Sequence, residues 1–200
     1  MTPAAIGFRA HSGWAAVVAV AGGAREPRIL LRSRIRMTDG SIAGAKQPFH
    51  AAEEMGMPRA ADYIRRCVER SGALALEGLR GALAEIRKSG HRTVAGALLR
   101  ASGRPLGTLE DTLASHAKIH TADGEHFRDA LAAASRRCRL KVVGIPEREV
   151  WERAAKAARV PVPELQALVA ACKKAVGSPW TADEKLATAA ALAALLGSRS

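Results

Sequence analysis

His116 and His120 stand four residues apart, and Glu125 follows five residues later. On a helix that first spacing puts both imidazoles on one face, one turn apart. Two imidazoles and a carboxylate are donors that zinc or iron accepts. The same three groups can act as general acid and base, because imidazole titrates near neutrality. His116, His120 and Glu125 are therefore the candidate catalytic residues. The stretch lacks the Glu that directly follows the first His in metalloprotease helices, so no metal is assigned from it. The competing reading has His120 and Thr121 capping a helix at residues 125–138, with Glu125 favouring its positive end.

Two other polar stretches could carry function. Lys46, His50 and Glu53 lie in and after a loop that precedes a long helix, from which they could overhang a sheet edge. Glu53 and Glu54 read equally as first-turn acids that favour the helix dipole. Arg28, Arg32, Arg34 and Arg36 alternate with Ile29, Leu31, Ile35 and Met37. Period two with one charged face marks a half-exposed strand. Its arginines could track a phosphate backbone, or could simply be solvated and keep a sheet edge from pairing. No aromatic interleaves with them, so this strand is not a base-stacking platform.

The elements that must position these residues follow from periodicity and punctuation. Residues 4–10 and 14–21 read as a hairpin of strands, and residues 28–37 as a third strand after Gly22, Gly23 and Pro27. A loop at 38–50 leads to helices at 59–70 and 73–88, broken at Gly72 and stopped at Ser89-Gly90. Residues 93–99 are a short apolar run suited to a buried strand. A helix at 108–118, a turn at Asp123-Gly124 and a helix at 125–138 come next. The strand at 141–145 ends at Pro146, and helices follow at 147–158, 163–175 and 182–196. Thr181 and Glu184 have the spacing of a capping box for the last helix. Three antiparallel strands and then strand–helix units make a mixed five-stranded α/β sheet with helices on its faces. The expectation is one domain over residues 1–200, with a sheet-containing core at 1–146 and C-terminal helices at 147–200 packing on it.

Composition bounds the function classes. The 200 residues carry 31 Lys and Arg against 19 Asp and Glu, a net charge of +12, with most of the excess in the first half. Such a balance favours anionic partners, nucleic acid foremost, although Arg-rich decoration of a solvated surface gives the same sum. Cys67, Cys138 and Cys172 are few, odd in number and far apart, which argues against a disulfide framework or a zinc knot. No apolar run reaches the roughly 20 residues that span a bilayer. The expectation is a cytoplasmic protein without a membrane partner.

The order of elements resembles the ribonuclease H-like fold. The opening Ile6-Gly7-Phe8-Arg9 through Ser12-Gly13-Trp14-Ala15 is similar to the start of some members, which read hydrophobic–Gly–hydrophobic–Asp and then Gly-Trp. Pro179-Trp180-Thr181-Ala182-Asp183-Glu184-Lys185 resembles the last helix of Holliday-junction-resolvase-type members, where acids open an Ala-rich helix. The stretches at residues 9–15 and 115–128 are also similar to those of a bacterial family without the usual metal-binding acids, a resemblance that implies no activity. Nucleases of this fold place acids on the first strand, the fourth strand and the last helix to hold two Mg²⁺ ions. Here Arg9 stands at the first-strand position, residues 93–100 contain no acid, and only Asp183 and Glu184 remain. An arginine repels the cation that carboxylates would hold, which argues against a Mg²⁺ pair.

In such a fold the strand ends converge on one edge. Arg9, His11 and Ser12 would then lie near Arg100, Ser102 and Arg104, with Lys46, His50, Asp183 and Glu184 completing the candidate ligand-binding set. Arginine forks suit phosphate or carboxylate, although the same residues read also as turn positions with solvated side chains. Glu147, Arg148 and Glu149 begin a helix directly after a strand end, where active sites and plain caps both occur. The resulting expectation is a protein that binds nucleic acid, a nucleotide or another phosphate-bearing ligand without two-metal cleavage. The alternative is a His/Glu-dependent hydrolase or nuclease with or without a transition metal. A third reading uses the Ala-rich last helix as a surface for another subunit, making a homo-oligomer.

Overall fold

In the computed structural model, which describes residues 1–101 and 105–197, the chain opens with three strands: β1 (Thr2–His11), β2 (Trp14–Gly22) and β3 (Pro27–Arg36). Ser12 and Gly13 turn β1 into β2. Gly13 takes a φ of +87°, and its carbonyl accepts the Met37 N–H at 2.8 Å, which ties this turn to the end of β3. Helices α1 (Pro48–Ala52) and α2 (Met57–Lys88) follow, then β4 (His91–Arg100), α3 (Leu109–Leu113), α4 (His116–Arg137) and β5 (Val142–Pro146). A 3-10 turn at Glu147–Glu149 leads into α5 (Val150–Ala158), α6 (Val162–Ala171), α7 (Lys173–Val176) and α8 (Ala182–Gly197).

The sheet has the order β3-β2-β1-β4-β5. β1–β2 and β2–β3 are antiparallel, whereas β1–β4 and β4–β5 are parallel. This is the mixed five-stranded sheet that the element order predicts. β1 lies in the middle, so both its faces are covered. Ile6, Phe8, Val17, Leu79, Phe127 and Leu131 build the core on the side of α2 and α4. Val18, Leu99, Val150, Leu165, Leu192 and Leu195 build the core on the side of α5, α6 and α8. Strand alternation sends Ala5, Gly7, Arg9 and His11 toward this second side.

Helix α8 rests directly on Gly7. A Cβ built there would lie 1.9 Å from the Ala187 carbonyl oxygen and 2.9 Å from the Ala191 nitrogen. Only the absence of a side chain on the strand, met by alanines on the helix, permits so close a backbone approach. Ala187, Ala189, Ala190 and Ala191 are all buried. The Ala-rich segment therefore packs inside this chain, which corrects its reading as a surface for a second subunit.

Three local expectations also change. α2 runs unbroken through Gly72, because its buried stripe of Ile64, Cys67, Ala75, Leu76, Leu79 and Ile86 continues past that point. A helical glycine costs about 1 kcal/mol relative to Ala, which that burial outweighs. α4 likewise continues through Asp123-Gly124, so the expected turn is absent and His120 and Thr121 lie within a helix rather than at its cap. In β3 the register shifts opposite Ala19/Val20, with Leu31 facing Ala19 and Ile29 facing Val20. The extra residue moves Ile29 to the core beside α8, away from Leu31 and Ile35, so the single apolar face expected for this strand is split.

Replacing Gly7 with Val should destabilise the fold by at least about 1–3 kcal/mol through overpacking against α8. Gly72→Ala should instead stabilise by up to about 1 kcal/mol, because a Cβ there meets nothing within 4 Å. Urea unfolding of both variants checks the pair; an unchanged midpoint for Gly7→Val contradicts the close-contact account.

Candidate functional site

The packing of α8 on Gly7 sets the strand-end site. One helical turn before Ala187, Asp183 comes to lie beside Arg9 and His11, which share the Gly7 face of β1. Arg9 donates to Asp183 through Nη1, and His11 Nε2 donates to the same Asp183 oxygen at 3.0 Å. Glu147, just past β5, accepts a two-pronged bond from Arg9, with Nη2–Oε1 at 2.8 Å and Nε–Oε2 at 3.1 Å. The hydrogen bond to Glu147 raises the Arg9 pKa beyond its usual value; burial opposes this, and Asp183 adds to the rise. The guanidinium is thus a fixed cation, with the side chain only 22% exposed.

That arrangement bears on the chemistry a Mg²⁺ pair would need. At the first-strand position there is a cation, β4 carries no acid, and the two carboxylates that do converge, Glu147 and Asp183, are both ion-paired with Arg9. The residues present do not fit two divalent cations, which need carboxylate oxygens with no competing positive charge between them.

The rest of the expected ligand set divides. Arg9 and Asp183 hold each other, so neither is a free ligand group. Glu184 is 4% exposed and turns back on its own helix. It accepts from the Thr181 N–H at 2.8 Å and from the Thr181 hydroxyl, while that hydroxyl accepts from Asp183 N–H at 3.3 Å. This is the cap read from the sequence, with the Glu184 half of the capping box formed and the Thr181 hydroxyl accepting from Asp183 rather than from the Glu184 N–H. Burial alone would raise the Glu184 pKa, but the bonds from Thr181 overcome it and hold the group below the usual glutamate value. Arg100 reaches Glu125 Oε2 at 2.8 Å, and Arg128 reaches the other oxygen at 3.1 Å. Glu125 is therefore drawn toward Arg100 and not toward the histidines. Ser102 and Arg104 lie outside the described residues.

Ser12 and Lys46 line a groove beside the β1–β2 turn, together with Trp14, Arg34, Arg36 and Thr38; its volume is about 640 Å³. His11 stacks on Trp14 with ring centroids 4.4 Å apart and planes 15° from parallel. The Arg34 guanidinium lies over the other ring system of that pair, 4.2 Å from the Trp14 centroid. Arg34, Arg36 and Lys46 make no ion pair among the described residues. Asp39 also lines the groove but is held by Ser41 and Arg70. The sequence reading of β3 missed the aromatic because it belongs to the neighbouring strand, where Trp14 pairs with Arg36. Arg32, from the same basic stripe, is instead structural: it donates to the carbonyls of Gly177 and Pro179 ahead of α8, at 3.1 and 2.6 Å.

His50 belongs to a different cluster. α1 lies against α4 so that His50 faces His116 and His120, with ring centroids 5.3 and 4.5 Å away. His116 and His120 are 4.6 Å apart, and their Nε2 atoms approach to 3.1 Å. The carboxylate of this cluster is Asp123, which is 5% exposed. It accepts the Phe49 N–H at 2.8 Å and binds His50 Nδ1. Asp123 sits seven residues after His116 and three after His120, the spacing of one helix face. That signal was legible, but Gly124 made the stretch read as a turn.

Two variants test the strand-end account. Arg9→Met should lower stability by about 1–3 kcal/mol, because it leaves Glu147 and Asp183 facing one another without their cation; a neutral effect in urea unfolding contradicts the clamp. Glu184→Gln keeps an acceptor but has no titrating group. The folded carboxyl titrates below its unfolded value of 4.5, so its contribution is complete above that value and is lost as pH falls below it. The stability gap between wild type and Glu184→Gln should shrink on going from about pH 7 to about pH 3.5; a constant gap contradicts the assignment.

No family model matches the chain, and no curated protein matches it in sequence. Solved structures do match in fold. The Thermus thermophilus RuvC structure is 16% identical with a TM-score of 0.55, over 98% of this chain and 95% of that one. T. thermophilus RuvC in complex with a Holliday junction substrate is 17% identical with a TM-score of 0.54, over 98% and 94%. The chain has a ribonuclease H-like fold of resolvase-like architecture.

Proposed function

We propose that this protein binds nucleic acid at the groove beside the β1–β2 turn and does not cleave it by a two-Mg²⁺ mechanism. The observation that carries this reading is the set of three cations without anionic partners among the described residues, Arg34, Arg36 and Lys46, around the His11–Trp14 stack. Phosphates neutralise such cations and release counterions, and the Trp14 ring, already stacked by His11 and covered by Arg34, holds that guanidinium at the groove. The net charge of +12 favours the encounter over the whole surface. A T. thermophilus RuvC structure in complex with a Holliday junction substrate gives a precedent for nucleic acid on this fold. The Arg9 clamp on Glu147 and Asp183 supports the second half of the reading, since it holds the strand-end carboxylates on a cation that competes with Mg²⁺.

The alternative hydrolase reading draws on His116 and His120, whose ring nitrogens converge. It assigns them a reaction, whereas the groove assigns a binding role to residues elsewhere on the surface. The two are separable by mutation.

Fluorescence anisotropy with labelled duplex and four-way-junction DNA, in chelator, tests the proposal. Affinity should fall linearly on a log–log plot against salt, and Arg34→Ala, Arg36→Ala and Lys46→Ala should each reduce the slope by up to about 0.9. Trp14→Ala should weaken binding, because it removes the ring that holds Arg34 over the groove. Added Mg²⁺ should produce no cleavage. Salt-independent affinity, or wild-type binding by all three cation variants, overturns the reading.

A further inference from the structure

Three imidazoles with carboxylates behind two of them make a different kind of site from the basic groove. We infer that His50, His116 and His120 bind one divalent first-row transition-metal ion, Zn²⁺ being the best fit, and leave one coordination position to solvent. The inference does not rest on nucleic-acid binding.

One ring nitrogen from each of the three histidines lies within 4.8 Å of the others. Two nitrogens bound tetrahedrally to one ion at about 2.0–2.1 Å sit roughly 3.3–3.4 Å apart. The His116–His120 Nε2 pair, at 3.1 Å, is already close to that separation. Only small side-chain rotations are needed to bring His50 in, since its ring is 4.5 Å from that of His120.

The groups behind the ligands supply the second, independent observation. His50 Nδ1 is bound to Asp123, whose other oxygen is fixed by the Phe49 N–H. A carboxylate accepts only, so Nδ1 carries the proton and Nε2 holds the lone pair. His116 Nδ1 faces Glu53 Oε1 at 3.8 Å, which favours the same tautomer there. Metal-binding histidines are commonly oriented in this way, with the non-ligating nitrogen donating to a carboxylate. Two outer carboxylates also match the charge of one divalent cation, whereas three imidazolium ions in this space would repel each other.

The donor set selects the ion. Three neutral nitrogens suit Zn²⁺, Co²⁺, Ni²⁺ or Cu²⁺, and do not suit Mg²⁺ or Ca²⁺, which require oxygen. His116 and His120 are exposed, so the fourth position opens to water. Three protein ligands and one open position are the pattern of zinc sites that act on a substrate rather than hold a fold.

The experiment uses chelator-stripped full-length protein with Co²⁺ as a spectroscopic probe and Zn²⁺ as competitor. One equivalent of Co²⁺ should give visible absorption bands of a low-coordinate nitrogen site, and Zn²⁺ should abolish them. His120→Gln and His116→Gln, both at exposed positions, should remove the bands while far-ultraviolet circular dichroism stays unchanged. His50→Gln should do the same. Asp123→Asn should keep a single site but weaken it by about 10–100-fold. Absence of a one-equivalent Co²⁺ spectrum overturns the inference, as does binding that is insensitive to His116→Gln and His120→Gln.

Discussion

Much of this molecule follows from one backbone contact, that of α8 on Gly7. The helix comes so near β1 that no side chain fits between them at that residue. Burial on the α8 side is then built from Ala187, Ala189, Ala190 and Ala191 rather than from large side chains. Close approach also brings the start of α8 to the end of β1. Thr181 and Glu184 cap the helix there, which fixes where Asp183 can stand. The site at the strand ends is thus a consequence of packing several residues away.

At that site one cation lies between two carboxylates. A sheet of this architecture gathers side chains from β1, from the end of β5 and from the start of α8 at one place. Carboxylates gathered there repel one another unless positive charge lies among them. In two-metal enzymes that charge arrives with the ions. Here Arg9 supplies it covalently, with Glu147 and Asp183 on its two edges. The groove at Trp14 is lined by Arg34, Arg36 and Lys46, with which no acid pairs among the described residues.

The histidine cluster depends on a different pair of elements. α4 is one unbroken helix from His116 to Arg137, which puts His116, His120 and Asp123 on one side. α1 is short, but Pro48 and Ala52 are buried and the Phe49 N–H is tied to Asp123. That anchorage holds His50 against the α4 pair. The division of labour within the Asp/Glu residues follows: Asp123 orients a histidine, whereas Glu125, two residues on, turns toward Arg100 and Arg128.

The sequence by itself determined what depends on neighbours along the chain. Strand alternation, the order of the five strands, the cap at Thr181 and Glu184, and the lack of an acid on β1 and β4 are all local patterns, and all were legible; the bounds of α1, α3 and α4 were not, since the expected helix at 108–118 divides at Ser115. The basic stripe of β3 was legible as a stripe, but its one-face reading failed because a bulge depends on the partner strand. Only the tertiary structure decided which charges meet. Arg9 finds partners 138 and 174 residues away, and His50 lies 73 residues from Asp123. Those pairings are set by α8 seating on Gly7 and α1 seating on α4, contacts between backbones and small residues that leave no periodic trace in the amino-acid order.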